Sequence, residues 1–189
     1  MAECQLTTLE GCELVIGRYP RFLYNARGGS AAGEAQRADR GDISLSFASE
    51  TTAIPALSGR TARFLGLPLP PGLSVEIHPI RLNGTLQPAT GQLELQFCAQ
   101  FRFQVGFGPG LRYCAPDLLV NALLTTETIC SQRHDRQGVR LEGTNTGVLV
   151  GAAVIEPTGE AWLDRFLGLP DEALAVLECQ LSLAGGLDA

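Results

Sequence analysis

No lysine occurs anywhere in this 189-residue chain, so all fourteen of its cationic side chains are arginines. That absence removes one reading at once. "GFGPG" at 106–110 follows a strand-like stretch as a phosphate loop would, but without a lysine and a following helix it reads as a turn. Charge is also sparse. Charged residues make up 18% of the chain and the net charge is −6. The arginines are scattered among a larger number of carboxylates, with no long basic run, which argues against nucleic acid as a partner.

Long apolar runs are missing as well. No segment approaches the roughly 18–20 residues of a membrane-spanning helix, so no transmembrane segment is expected. The N-terminus, "MAECQLTTLEGCELVIG", lacks the basic segment and apolar core of a secretory leader. The expectation is therefore a cytoplasmic protein. Six cysteines are present, without a CxxC pair. In a reducing compartment they are expected as free thiols packed like small hydrophobes, with no metal. With only two histidines, there is no triad order, no shared carboxylate pair and no cofactor fingerprint, so no cofactor is expected.

What the chain does contain is self-similarity. "RFLGLP" occurs at Arg63–Pro68 and again at Arg165–Pro170. "PRFLYNA" at Pro20–Ala26 resembles "PDLLVNA" at Pro116–Ala122, and "RADRGDISL" from Arg37 resembles "RHDRQGVRL" from Arg133. The matches run in the same order, with a short insertion around "EGTNTG" in the second copy. Such ordered recurrence predicts a tandem duplication with units 1–90 and 91–189, packed together as one globular domain.

Hydrophobic periodicity gives the fold class. In "QLELQFCAQFRFQVGF", Leu93, Leu95, Phe97, Ala99, Phe101, Phe103 and Val105 alternate with amides and charged residues. This is the period of a strand with one apolar face, long enough to be one curved strand or two joined at a bulge. Further strands are expected over 118–128, and as a hairpin with Val139 and Leu141 before the turn and Val148–Ile155 after it. Asn83-Gly84 is read as another hairpin turn.

Each "RFLGLP" is read as a helix end that plugs a sheet. Thr158 or Ser58 would cap the helix, and Gly168 or Gly66 would take the left-handed position past it. The prediction is a β-dominated α+β fold: two tandem units of sheet plus one short helix, related by an approximate internal twofold.

Candidate site residues are few. His134 and Asp135 lie in "CSQRHD", four residues after Cys130, where a Cys/His nucleophile or half a metal site competes with a plain loop. Asp39 with Arg40, and Asp135 with Arg136, form either turn ion pairs or an anion clamp built twice. Asn25 and Asn121 interrupt apolar strands and must hydrogen-bond to backbone or to a ligand.

Three function classes follow. The first is a non-catalytic binding or assembly protein, holding an apolar small molecule such as a lipid or pigment at the junction of the units. The second is an enzyme with an asymmetric site near His134 and Asp135. The third is a scaffold for a protein partner.

Overall fold

The computed structural model describes residues 1–38, 41–106, 110–143 and 145–184. In the first half of the chain the strands are β1 (Ala2–Thr8), β2 (Cys12–Ile16), β3 (Phe22–Tyr24), β4 (Ser30–Arg37), β5 (Ile43–Phe47), β6 (Ala62–Phe64), β7 (Leu67–Pro68) and β8 (Leu73–Gln87). The second half supplies β9 (Gln92–Gly106), β10 (Arg112–Cys114), β11 (Leu118–Thr125), β12 (Thr128–Cys130), β13 (Asp135–Gln137), β14 (Val139–Glu142) and β15 (Thr146–Ile155). Helix α1 (Ala161–Leu167) and β16 (Asp171–Leu183) complete it. The fold is strongly β-dominated, with one α-helix among the described residues.

Eight of these strands close on themselves. The order β1–β4–β5–β8–β9–β11–β15–β16 returns to β1 through the β1–β16 pairing, and every neighbour is antiparallel. The alternating stretch forms a single 15-residue strand, β9. The irregularity falls on its partner β8, where the register shifts between Pro79 and Arg81. Alternation sends Leu93, Leu95, Phe97, Phe101 and Phe103 inward, into the apolar clusters. Gln96 and Gln100 are exposed on the other face. The outer face of β9 is thus polar, whereas Leu119 and Leu123 of β11 and Val154 of β15 are exposed.

The two ends of the ring differ. One is filled by close-packed aliphatic side chains, including Leu45, Leu93, Leu95, Leu149 and Leu181, each at most 1% exposed. At the other end the wall flares. β2 continues β1 along β16 with a shifted register, and β3, β6 and β7 pair outward from it in succession. The β11–β15 seam is joined at a single register pair, Thr125 and Val150. Helix α1 covers the gap, burying Leu163 and Leu167 against Leu118, Ala153 and Ile155. Trp162 Nε1 donates to the Tyr113 hydroxyl at 3.1 Å, tying the helix to β10.

Three expectations are corrected. The plan of one helix per unit fails because the first hexapeptide is a β-hairpin, Arg63 pairing with Pro68 and Phe64 with Leu67. Its turn residues, Leu65 and Gly66, both have positive φ, 50° and 82°, as a two-residue hairpin loop requires. The cause lies upstream. "GEAWLD" precedes the second copy and favours helix, whereas "SGRTA" brings glycine and β-branched threonine, and β3 offers Phe64 a strand partner.

Asn83-Gly84 is not a turn but mid-strand in β8, paired with Gln96 and Leu95. The connection to β9 lies at 88–91. Glycine is needed at 84 because a Cβ there would collide with the Glu94 carbonyl. Thr158 is not the N-cap: α1 begins at Ala161 after Glu160, and the Thr158 hydroxyl instead donates to Asp164 Oδ1 at 2.6 Å. Gly168 does take the left-handed position past the helix, with φ of 73°.

Candidate functional site

Between the solid end and the flared end lies a cavity of about 560 Å³, within the range of small-molecule sites. Seven of the eight ring strands contribute side chains to its lining, β5 being the exception. Phe97, Phe101 and Phe103 come from β9, Val120 and Ala122 from β11, and Ala173, Ala175 and Leu177 from β16. These side chains pack against the core clusters yet remain only half-buried. The surface they leave open is the cavity wall.

No charged side chain lines the cavity among the described residues. Its hydroxyls are nearly all committed to backbone carbonyls. Thr8 Oγ1 donates to Ala26 at 2.7 Å, Thr52 Oγ1 to Ala48 at 2.8 Å, Tyr19 to Phe166 at 2.6 Å, and Tyr24 to Pro55. Ser30 is the remaining hydroxyl in the lining. Burial pushes the Tyr24 phenol up and the Cys179 thiol up to about 12, so both stay protonated and neutral at ordinary pH. The wall therefore offers dispersion and hydrophobic contact, and almost no polar recognition.

At the mouth the two hexapeptides meet. Leu65 and Leu67 of the β6–β7 hairpin and Phe166 of α1 all line the opening, and are 71%, 69% and 55% exposed. Tyr19 bridges them, its ring centroid 6.2 Å from Phe64 and 5.8 Å from Phe166. Phe22 stacks on Phe64 at 4.7 Å.

No protein-family model, curated protein or solved structure matches this chain.

The sequence-derived candidates lie elsewhere. Asn25 is exposed and its Oδ1 accepts from the Arg27 amide at 3.0 Å. Asn121 is exposed on β11, opposite Cys98. Neither lines the cavity. Asp39 and Arg40 lie outside the described residues.

His134, Asp135 and Arg136 belong to the small β12–β13 hairpin, where Asp135 stands across from Cys130 and Arg136 from Ile129. Glu172 holds that hairpin to the barrel. Its carboxylate accepts from Ser131 Oγ at 2.7 Å and from the amides of Arg133 and Gln132 at 3.0 and 3.2 Å. The hydrogen bond from Ser131, followed by those amides, keeps Glu172 below the usual carboxylate range. Arg133 adds an ion pair to Asp171 at 2.6 Å. His134 Nε2 is buried without a hydrogen-bond partner.

The arrangement anchors a loop. It brings His134 and Asp135 into one hairpin, with Asp135 across from Cys130. The sequence candidates do not include the mouth residues Tyr19, Leu65, Leu67 and Phe166; the recurrence of "RFLGLP" marks the last three and leaves Tyr19 unmarked.

Proposed function

We propose that the protein is a non-catalytic binding protein that holds an apolar small molecule, a lipid or pigment, inside its barrel. One observation carries the reading: a 560 Å³ cavity with an apolar wall, no charged lining among the described residues and a mouth at the flared end. The commitment of Thr8, Thr52, Tyr19 and Tyr24 to backbone carbonyls favours a ligand whose buried part is hydrocarbon or a fused ring system.

The reading extends to the origin of the barrel. Residues 2–87 supply four consecutive ring strands and 92–183 the other four. That order supports two duplicated units, 1–90 and 91–189, related by an approximate twofold with the cavity at their junction. The matched letters support it less: Pro20–Ala26 contains β3, in the flare, whereas Pro116–Ala122 runs into β11, in the ring.

The test is native mass spectrometry of freshly purified protein, with an organic extract analysed for apolar compounds. The expected result is a bound apolar adduct that a cavity-filling substitution, Ala175→Trp or Ala122→Phe, removes. Protein that carries no adduct and binds no apolar fluorescent probe would sink the reading. A measurable turnover abolished by His134→Ala would replace it with an asymmetric enzyme site.

A further inference from the structure

An apolar ligand has negligible solubility in water, so a site that holds one needs a route of entry that avoids crossing water. The mouth of the cavity has the features of such a route. Leu65 and Leu67 are among the most exposed large apolar side chains of the described residues, and with Phe166 they form an apolar rim continuous with the cavity wall. Leu65 is also conformationally out of place. It sits at φ of 50° in a two-residue turn, a position that glycine, asparagine or aspartate occupies without strain. A strained, exposed leucine at a hairpin tip serves neither local stability nor solubility, and such outliers collect at functional surfaces.

Three arginines stand next to the rim rings in the chain. Arg18, Arg63 and Arg165 each immediately precede a rim ring, Tyr19, Phe64 or Phe166, and all three are exposed. None forms an ion pair among the described residues, a state they share with Arg37, Arg60, Arg81, Arg112 and Arg136, whereas Arg21, Arg27, Arg102, Arg133 and Arg140 are paired. Arg63 is held by carbonyls at Gly59 and Ala62, which keep its charge beside the hairpin. Exposed apolar side chains flanked by uncompensated arginines suit the interface of an anionic bilayer, where the hydrocarbon groups enter the headgroup boundary and the cations meet lipid phosphates.

We propose that the rim formed by the β6–β7 hairpin, Tyr19 and the end of α1 docks the barrel mouth-down on an anionic lipid surface, where the apolar ligand passes between bilayer and cavity. The purpose of docking rests on the cavity reading above; the docking itself does not. It is tested by sedimentation of the purified full chain with vesicles of phosphatidylcholine alone and of phosphatidylcholine mixed with phosphatidylglycerol.

The wild type is expected to partition onto the mixed vesicles more strongly than onto phosphatidylcholine. Leu65→Glu combined with Leu67→Glu should lower partitioning at least tenfold on both. Arg18→Gln, Arg63→Gln and Arg165→Gln should each cost on the order of fivefold on the anionic vesicles alone. The cavity-filled Ala175→Trp protein should still sediment, which separates docking from ligand binding. Circular dichroism confirms that each variant is folded. Wild-type protein left in the supernatant, or partitioning unchanged by the double glutamate substitution, overturns the proposal. So does a wild-type dimer that the same substitution turns into a monomer, since a second copy would then be what covers the rim.

Discussion

Leu65 places a local cost beside the proposed docking surface, and the two can be separated by substitution. A leucine held at φ of 50° costs roughly 1–2 kcal/mol relative to ordinary backbone, and asparagine relieves much of it. Leu65→Asn is therefore expected to raise stability by about 0.5–1 kcal/mol in urea unfolding, while weakening partitioning onto anionic vesicles. A loss of stability instead would mean that the side chain packs on the hairpin more than its exposure suggests.

Thiol chemistry tests burial at the same scale. Cys4, Cys12, Cys98 and Cys179 are buried and Cys114 and Cys130 exposed. Burial raises the pKa of Cys4 to about 11 and that of Cys179 to about 12, and raises Cys12 as well. Two thiols should react with an aromatic disulfide reagent within minutes in the native protein, and the other four only on unfolding. Composition foretold thiols used as small hydrophobes. It could not single out the exposed pair, because nothing local to Cys114 or Cys130 encodes which sheet face turns to solvent.

At the scale of elements, the acid response should come from side chains that pin loops. Glu172 binds the β12–β13 hairpin, Asp117 pairs with Arg102, Glu127 with Arg140, and Asp164 gathers Thr158 and Gly159 at the start of α1. Each of these carboxyls is held below its ordinary value by the hydrogen bonds it accepts. A folded-state pKa below the unfolded one gives stability that is present above the unfolded value and lost as pH falls through the folded one. Thermal melts should be level above the ordinary glutamate value of 4.5 and decline below it. Glu172→Gln should make that decline shallower, and a profile identical to wild type would deny Glu172 the role of anchor.

Period-2 alternation made β9 readable because it depends only on neighbouring letters, and the turn letters before Val148 made β15 readable as the arm of a hairpin. The hexapeptide was not readable in the same way. One string is a hairpin in one place and the end of a helix in another, decided by what precedes it and by whether β3 is there to pair. Gly84 misled for a related reason: its lack of a side chain serves the close approach of Glu94, not a turn.

Closure of the ring belongs to the whole molecule and left no trace in local sequence. It depends on β16 reaching both β15 and β1, residues far apart in the chain. The cavity follows from that closure, and so does the most general expectation. Voids in a protein interior cost on the order of 24 cal/mol per Å³ when the lining cannot collapse. The cavity of this barrel opens at its mouth, so the rule fixes only the sense of the effect: an apolar wall facing water is less stable than the same wall covered. A barrel whose backbone ring resists collapse therefore gains from an occupant.

Protein stripped of apolar compounds should melt lower than protein as purified, and adding the extracted compound back should restore it. At a ligand concentration a hundredfold above its Kd the gain is about 2.7 kcal/mol. For a chain of this size that corresponds to a rise in Tm of roughly 5–10 °C. The Ala175→Trp protein, with its cavity partly filled by its own side chain, should melt at or above the stripped wild type and respond little to the compound. Equal melting of stripped and untreated wild type, with no response to any apolar compound in the extract, would mean that the lumen is stable without an occupant.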